Sequence, residues 1–244
     1  MPWPETYARH VLVEVDSTNA EAARRMDGLA GPAWICALSQ TAARGRRGRA
    51  WNSPAGNFAA TLVMRPTEPP ETVALRSFVA ALALYDALSD LTGTEAGLAL
   101  KWPNDVLLNG GKVAGILLEG LPHGGLAVGI GVNLIAAPDR AMLEARAVAP
   151  VSVLSETGVR IQPEKMLDAL AQAWAIREEA FVTYGFAAIR EAWLARAARI
   201  GDTITARTSR EETIGVFETV DATGQLVLNT PSGRVHIAAA DVFF

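Results

Sequence analysis

Short apolar runs and their spacing divide the larger, N-terminal part of the chain into strands and helices. Runs bounded by Gly, Pro, Asn or Asp predict strands, and they span residues 10–15, 33–40, 57–64, 98–102, 105–108, 113–119 and 126–134. Apolar positions three or four residues apart predict helices, which span residues 18–28, 72–91, 139–146, 152–157, 163–184 and 186–199. Because strands and helices do not alternate regularly, we expect an α+β fold with a mixed sheet.

Local signals mark the ends of several of these elements. Thr18 and Glu21 match a capping box, in which two side chains satisfy free backbone groups at a helix start. The pair Asn109-Gly110 predicts a tight hairpin between two neighbouring strands. Pro163 suits the first turn of a helix, and Gly185 suits the residue that follows its end.

The pattern changes near residue 199, where short β-type runs replace the helices. These runs span residues 203–207, 213–219, 225–229 and 234–238 and are separated by turns. Closely spaced strands of this kind predict a small all-β module, which we interpret as a barrel. We therefore divide the chain into a larger domain of residues 1–198 and a C-terminal barrel of residues 199–244.

Composition excludes several classes of function. With 22 basic and 26 acidic residues the net charge is −4, so the surface as a whole does not suit nucleic acid. The single cysteine, Cys36, lies in an apolar run, which predicts an inert buried thiol and a reducing cytoplasm. No signal peptide is visible, and no apolar run approaches the roughly 20 residues that span a bilayer. The three histidines lack metal-ligand spacing.

Two short segments concentrate the basic side chains. Only three of the 22 basic residues are lysines, yet Lys101 and Lys112 bound a single stretch of twelve residues. About fifty residues earlier, four arginines occupy one loop at positions 44, 46, 47 and 49. Lysine supplies a compact point charge, whereas the guanidinium fork of arginine matches carboxylate and phosphate oxygens. Together the segments predict a site for a ligand with several negative charges.

The arginine-rich loop (residues 41–56) has two interpretations. A run of arginines by itself is typical of a solvated basic loop or of a contact with RNA. Here Gly45 and Gly48 let the backbone approach a ligand, and Trp51 could stack on a purine or cover an apolar ring. Because the loop lies between two predicted strands, we favour an anion-binding loop. It is not a P-loop, since the GxxxxGK[ST] pattern is missing.

A second group of polar side chains lies at the predicted turn of residues 101–105. Pro103, Asn104 and Asp105 favour a turn, so an ordinary structural turn is the alternative interpretation. The Asn-Gly-Gly hairpin brings Lys112 back to this segment. A lysine, an asparagine and an aspartate so placed can grip oxygen anions, and Asp105 could receive a proton or contact Mg²⁺.

Two further segments carry polar or glycine residues of interest. Gly129 and Gly131 superficially match a dinucleotide-binding loop, but the third glycine and a following helix are missing. We expect these glycines to let a ligand or backbone pack against the strand, and Asn133 to be an inward polar group that needs a partner. Residues 17–19 (Ser-Thr-Asn) either mark a helix start or bind a small polar ring.

Together, five segments resemble those of biotin–protein ligases in order and spacing. They are residues 16–19, residues 40–54 with the arginine-rich loop, residues 101–105 (Lys-Trp-Pro-Asn-Asp), residues 112–119 (Lys-Val-Ala-Gly-Ile-Leu-Leu-Glu) and residues 129–133 (Gly-Ile-Gly-Val-Asn). The resemblance covers essentially the whole chain. It implies a mixed sheet like that of class II synthetases with flanking helices, followed by a small SH3-like barrel.

The resemblance also implies a reaction in two steps. The carboxylate of biotin attacks the α-phosphate of ATP and gives biotinyl-5′-AMP and pyrophosphate. A lysine of a biotin carboxyl carrier protein domain then attacks the acyl carbon and releases AMP. The implied substrates are biotin and ATP, Mg²⁺ accompanies them, and no site residue is assigned as a metal ligand.

The same resemblance assigns roles to individual residues. The residues expected to bind biotin are Ser17, Thr18, Asn19, Gln40, Arg44, Arg46, Lys112 and Gly115. The residues expected to bind ATP or the adenylate are Arg46, Arg47, Arg49, Trp51, Asn104 and Asn133. Catalysis is assigned to Lys112, which neutralises the reacting carboxylate and α-phosphate, to Arg46, and to Asp105, which orients or deprotonates the acceptor lysine.

Two differences from the family pattern bear on this interpretation. Ala43 stands where the family's basic loop usually begins with Gly. We expect this difference to affect details of loop closure and not the activity. The first predicted strand starts at about residue 10, without room for a helix-turn-helix domain, so we expect the ligase-only form. A lipoate ligase on the same scaffold and a nucleic-acid-binding module that uses the arginines are the alternatives. We further expect a cytoplasmic protein without DNA or membrane partners, and family habit suggests a homodimer.

Overall fold

A seven-stranded mixed sheet forms the centre of the larger part of the molecule. The computed structural model describes residues 2–51, 53–140, 144 and 146–244. The strands are β1 (Ala8–Val15), β2 (Ala33–Gln40), β3 (Phe58–Met64), β4 (Leu98–Lys101), β5 (Asp105–Leu108), β6 (Gly111–Leu121) and β7 (Gly125–Val132). Their spatial order is β1–β2–β3–β7–β6–β5–β4; β1 and β2 are parallel, and the other neighbours are antiparallel. The expected mixed sheet is confirmed.

Helices cover both faces of this sheet. They are α1 (Thr18–Arg25), α2 (Pro70–Ala74), α3 (Arg76–Thr92), α4 (Val153–Thr157), α5 (Pro163–Tyr184) and α6 (Phe186–Leu194). Helices α3 and α5 pack together on one face, where Trp34 and Trp174 meet edge to face with ring centroids 6.2 Å apart. Helix α1 covers the other face, where Ala22 and Met26 belong to a separate apolar cluster with Ile35. Alternate residues of β2 therefore serve two cores.

Two predicted helices end elsewhere than expected. The helix predicted over residues 72–91 is two helices, α2 and α3, which meet at Leu75. Helix α6 ends at Leu194 and not at residue 199, because the next residues pair with β4: Leu100 donates to the carbonyl of Arg196 and accepts from the amide of Ala198. Of the eight residues of the helix predicted over residues 139–146, four (141–143 and 145) lie outside the described residues.

The capping box predicted at the start of α1 does not form. Ser17 is the residue that precedes the helix, and its side chain makes no capping hydrogen bond. The carboxylate of Glu21 contacts Arg24 at 2.6 Å and Arg25 at 2.5 Å. The hydroxyl of Thr18 turns toward the cleft described below. Ion pairs within the helix and the polar network beside it thus replace the expected local cap.

Helix α3 is largely apolar and lies in the core. The segment Pro70–Thr92 is long and apolar enough, by composition, to cross a membrane, so the expectation that no apolar run approaches that length is wrong here. Of its most apolar window, however, 61% is buried inside the protein. Arg76, also buried, pairs with Glu68 and Glu178 at 2.7 Å each. These contacts make the segment a core helix that supports the sheet.

The C-terminal module is a five-stranded antiparallel sheet. Its strands are β8 (Thr203–Arg207), β9 (Glu212–Val220), β10 (Leu226–Thr230), β11 (Gly233–Ile237) and β12 (Asp241–Phe243), in the order β11–β10–β9–β8–β12. Because β11 and β12 lie at opposite edges, hydrogen bonding does not close the expected barrel within the described residues. The indole nitrogen of Trp102 donates to the carbonyl of Gly224 at 3.1 Å and so joins this sheet to the larger part.

Candidate active site

A cleft of about 550 Å³ opens where the large sheet, the arginine-rich loop and β12 meet. Of the fourteen residues predicted for the site, thirteen line this cleft, and Arg47 does not. The thirteen are Ser17, Thr18, Asn19, Gln40, Arg44, Arg46, Arg49, Trp51, Asn104, Asp105, Lys112, Gly115 and Asn133. Residues that are far apart in the sequence thus converge on one site.

One row of paired residues across four strands forms the centre of the cleft. Lys101 of β4 pairs with Asp105 of β5, Asp105 pairs with Gly115 of β6, and Gly115 pairs with Gly131 of β7. Paired residues of neighbouring strands point to the same face of a sheet. Two charged side chains therefore stand beside a surface that two glycines leave open.

The indole of Trp51 covers that open surface. A Cβ atom on Gly131 would lie 2.7 Å from the indole nitrogen, and a Cβ atom on Gly115 would lie 3.2 Å from ring carbon Cζ3. The ammonium of Lys112 lies 5.5 Å from the ring centroid, which is cation–π range. The glycines therefore allow the ring to approach the sheet, and Trp51 carries the arginine-rich loop to the position of Lys112.

Uncharged polar side chains form one wall of the cleft. The side-chain oxygen of Gln40 accepts from the backbone N–H of Thr18 at 2.8 Å and from its hydroxyl at 3.2 Å. The hydroxyl of Thr61 lies 2.8 Å from that of Thr18 and 2.6 Å from Oδ1 of Asn19, whose Nδ2 donates to Glu119 at 2.6 Å. Because these groups are fixed by one another, the wall offers donors and acceptors at set positions to a small polar ring.

Ser17 lies at the end of the same wall. It is buried, and its backbone N–H donates to Oδ1 of Asp16 at 2.8 Å. Asp16 is in turn held by Arg24 at 2.6 Å, and these hydrogen bonds keep the pKa of Asp16 far below its usual range. The sequence signal for residues 17–19 therefore marks both a helix start and a wall of the cleft.

Asp105 lies between two ammonium groups. Its Oδ1 is 2.6 Å from Nζ of Lys112, and its Oδ2 is 3.6 Å from Nζ of Lys101. The side chains of Asp105, Lys101 and Lys112 are 12%, 8% and 29% exposed. Burial alone would raise the pKa of Asp105, but the charges of Lys112 and Lys101 outweigh burial and hold that pKa below its usual range. Burial also lowers the pKa of Lys101, against the opposing effect of Asp105.

The carboxylates of the cleft do not fit a metal site held by the protein. Both oxygens of Asp105 face ammonium groups, and Asp241 faces arginines. Among the residues that the structure describes, no group of three His, Cys, Asp or Glu side chains is placed to hold a metal ion. A divalent cation would have to enter with a ligand that carries its own oxygen donors.

Asn104 and Arg46 connect the turn after β4 to the arginine-rich loop. The side-chain nitrogen of Asn104 donates to the carbonyl of Ile116, and its Oδ1 accepts from Nη1 of Arg46 at 3.3 Å. Arg46 also donates to the carbonyl of Ala240 at 3.3 Å, and burial lowers its pKa. Both of these acceptors are neutral oxygens, so the partly buried guanidinium remains a strong site for an anion.

Asn133 is the inward polar group that its position after two strand glycines led us to expect. It is buried, and its Nδ2 donates to the carbonyl of Val151 at 3.0 Å. Its Oδ1 is buried and finds no hydrogen-bond partner among the residues that the structure describes. A buried acceptor in this condition is destabilising by roughly 1–3 kcal/mol, so it favours a ligand that brings a donor.

The C-terminal sheet holds the arginine-rich loop. Arg47 and Arg49 each contact Oδ2 of Asp241 at 2.8 Å, and Arg207 lies 3.6 Å from the same atom. Burial would raise the pKa of Asp241, but hydrogen bonding to Arg49 and the neighbouring arginine charges lower it. The backbone of Arg47 is left-handed (φ 56°), a conformation that a side chain disfavours and that these contacts help to hold. Arg47 and Arg49 therefore tie the loop down in this structure.

Two parts of the cleft were not assigned from the sequence. Lys101 stood out through the scarcity of lysine, but its burial and its contact with Asp105 depend on strand pairing. Residues 240–243 carry no sequence signal at all, and they reach the cleft because Ala240 and Asp241 contact the arginine-rich loop.

Comparison with known proteins agrees with this architecture. A model of the biotin/lipoate A/B protein ligase family matches residues 12–134, and a model of the biotin protein ligase C-terminal domain matches residues 200–244. A biotin–[acetyl-CoA-carboxylase] ligase of Paracoccus denitrificans is 57% identical over 238 residues, which cover 96% of this chain and 99% of that protein. The chain belongs to the biotin protein ligase family. The predicted family and the predicted enzyme class are confirmed.

Two further matches come from a sequence relative and from a solved structure. A bifunctional ligase/repressor of Bacillus subtilis is 30% identical over 213 residues, which cover 85% of this chain and 65% of that longer protein. A solved structure of the Aquifex aeolicus biotin protein ligase, in complex with biotin and ATP, superposes with a TM-score of 0.82 over 96% of this chain and 98% of that chain. At 24% identity this likeness shows the fold. Lipoate ligases are included in the broader family model that matches residues 12–134, and the Paracoccus denitrificans and Aquifex aeolicus relatives are biotin protein ligases.

Proposed function

We propose that the cleft joins biotin to ATP and then transfers biotin to a lysine of a biotin carboxyl carrier protein domain, as in acetyl-CoA carboxylase. The observation that carries this proposal is the meeting of Lys112 and Arg46 with a wall of uncharged polar groups in one cleft. The cations suit a carboxylate and a triphosphate, and the wall suits the ureido ring of biotin.

In the first step, a carboxylate oxygen of biotin forms a bond to the α-phosphorus of ATP, and the bond to pyrophosphate breaks. The two reactants are both anionic, so fixed cations must offset their repulsion and stabilise charge in the transition state. Lys112 is placed to do this because it is the more exposed of the two cleft lysines and borders the Trp51 ring. Mg²⁺ enters as the ion of the ATP substrate, and no residue of the chain is assigned to it.

In the second step, the acceptor amine forms an amide with the acyl carbon, and AMP leaves. An amine in solution is protonated, so it must lose a proton before it attacks. Asp105 is the carboxylate at the centre of the cleft and is held as the anion, which suits a residue that orients the ammonium and accepts its proton.

The remaining assignments keep the roles expected from the sequence, except that Arg47 and Arg49 were expected to bind the adenylate and are here assigned to the loop. The polar wall of Thr18, Asn19 and Gln40, with Ser17 beside it, binds biotin. Arg44, Arg46 and Gly115 border the junction of biotin with the phosphate, while Trp51, Asn104 and Asn133 bind the adenylate. Arg47 and Arg49 support the loop through Asp241. The chain acts in the cytoplasm, without specific DNA or membrane binding, and family habit suggests a homodimer.

Incubation of the purified protein with biotin, ATP and Mg²⁺, followed by mass spectrometry, tests the proposal. We expect bound biotinyl-5′-AMP, and a titration with lipoate in place of biotin is expected to give far less adenylate. Lys112→Ala should abolish adenylate formation with the fold retained. Asp105→Asn should leave adenylate formation intact while it slows transfer to the carrier domain. Absence of any adenylate in the parent protein, or a preference for lipoate, would contradict the proposed function.

A further inference from the structure

We propose that Lys101 is a positioning residue for the transfer step: it keeps the carboxylate of Asp105 in place and ionised when Lys112 turns to the anionic reactants. The inference rests on the proposed function, because it concerns a base that acts on the acceptor lysine. It assigns a separate task to each of the two cleft lysines.

The first argument is the unequal placement of the two ammonium groups. Lys112 makes the shorter contact with Asp105, 2.6 Å, and its side chain is 29% exposed at the cleft surface. Lys101 makes a contact of 3.6 Å, and its side chain is only 8% exposed. An anionic ligand in the cleft would therefore draw the more exposed Lys112 away, whereas the nearly buried Lys101 stays beside Asp105.

The second argument is that Lys101 is fixed from several sides. It lies opposite Asp105 in the β4–β5 pairing, so backbone hydrogen bonds set the spacing of the two residues. Its ammonium lies 5.7 Å from the centroid of the Phe244 ring. The preceding residue, Leu100, is bonded on its other edge to Arg196 and Ala198. A buried ammonium held in this way is poorly placed to reach a ligand and well placed to stabilise a neighbouring anion.

The third argument concerns the charges that face Asp105. They are Lys101 from β4, Lys112 from β6 and Arg46 from the arginine-rich loop, while Asp241 from β12 faces Lys101. When Lys112 and Arg46 engage the phosphate, their charges are neutralised there. Lys101 is then the cation left to oppose the effect of burial, which by itself favours a protonated carboxyl. Without Lys101, Asp105 would take up a proton before the acceptor amine arrives.

The test separates the two half-reactions. Synthetic biotinyl-5′-AMP is supplied to the enzyme with a carrier domain, and single-turnover transfer is followed from pH 4 to pH 9. In Lys101→Met, we expect the rising limb of the pH profile to move upward by about one unit or more relative to the parent, because one adjacent opposite charge changes a carboxyl pKa by about 1–3 units. Transfer at the acidic end of the range then falls about tenfold or more and recovers as the pH rises. The parent and the variants act on the same carrier domain, so the titration of the acceptor lysine affects all of them equally and cancels in the comparison.

Three further variants distinguish positioning from a general structural role. Lys101→Arg keeps the charge and should restore the parent pH profile. The double variant Lys101→Met with Asp105→Asn should transfer no more slowly than Asp105→Asn alone, since the lysine acts through that carboxylate. Lys165→Met removes an exposed lysine of α5 and should match the parent throughout. Lys101→Gln repeats the measurement with a polar side chain in case Lys101→Met does not fold.

An unshifted profile in both charge-removing variants would overturn the inference, and so would an equal loss of rate at every pH. A further loss from Lys101→Met in the Asp105→Asn background would also overturn it. Failure of the parent protein to form or transfer the adenylate would instead count against the proposed function, so the two failures are distinguishable.

Discussion

The contact of Asp241 with the arginine-rich loop gives a prediction whose magnitude follows from the structure. One carboxylate oxygen lies 2.8 Å from both Arg47 and Arg49, and the carboxylate is 13% exposed while the arginines are 41% and 55% exposed. Because the arginines are largely in water, each contact is worth about 0.5–1 kcal/mol and not the larger value of a buried pair. Asp241→Asn removes the charge that both contacts share. We therefore expect the closed loop to lose about 1–2 kcal/mol, which raises the open population about five- to thirtyfold.

Limited proteolysis with trypsin measures this opening directly. Trypsin cleaves after arginine, and the loop contains four cleavage sites, Arg44, Arg46, Arg47 and Arg49. When opening and closing are fast relative to cleavage, the cleavage rate follows the open population. Mass spectrometry of the fragments should show loop cleavage accelerated by that factor in Asp241→Asn.

Asp221→Asn is the matched control for this experiment. Asp221 lies in the turn between β9 and β10 of the same module, contacts His236 at 2.8 Å and makes no contact with the loop in the described contacts. Its removal should leave the loop cleavage rate unchanged. Equal cleavage rates for Asp241→Asn and the parent protein would refute the reasoning that the C-terminal sheet holds the loop.

Three further predictions concern the polar wall, the buried thiol and the small sheet. Gly129→Ala places a methyl group against the amide of Asn19, which then loses its contacts with Thr61 and Glu119. The affinity for biotin, measured by calorimetry, should therefore fall by about ten- to a hundredfold. The control Gly120→Ala adds a methyl group in open space and should leave the affinity unchanged. Burial raises the pKa of Cys36 to about 12, so the thiol should resist Ellman's reagent at pH 8 in the folded protein and react in urea; fast reaction under native conditions would contradict the burial. Burial would raise the pKa of Asp221, but hydrogen bonds from His236, Thr223 and Gln225 outweigh it and lower the pKa to about 2. At pH values above its unfolded pKa, the carboxylate then contributes up to about 2 kcal/mol to the free energy of unfolding, and this contribution is lost as pH falls toward 2. The free energies of unfolding of Asp221→Asn and the parent, measured in urea, should differ at pH 6 and converge near pH 2. An equal difference at both pH values would contradict this assignment.

The sequence determined the elements whose signals are local. Runs of β-type residues gave β1 to β7, and the Asn109-Gly110 pair gave the hairpin between β5 and β6, because strand tendency and turn geometry depend on neighbouring residues. The spacing of the polar segments, together with family resemblance, also identified thirteen residues that line one cleft. These predictions succeed since charge, glycine placement and side-chain chemistry are properties of the chain itself.

Only the tertiary structure decided which side chains meet. The row from Lys101 to Gly131 exists because four strands pair in one register, and register depends on contacts across the sheet. The end of α6 at Leu194 follows from pairing of the next residues with β4, and the predicted capping box gave way to ion pairs and to the polar wall. The anchoring of the loop by Asp241 joins residues almost two hundred positions apart. Contacts of this kind depend on where the small sheet lies relative to the arginine-rich loop, and no local pattern in the chain encodes them.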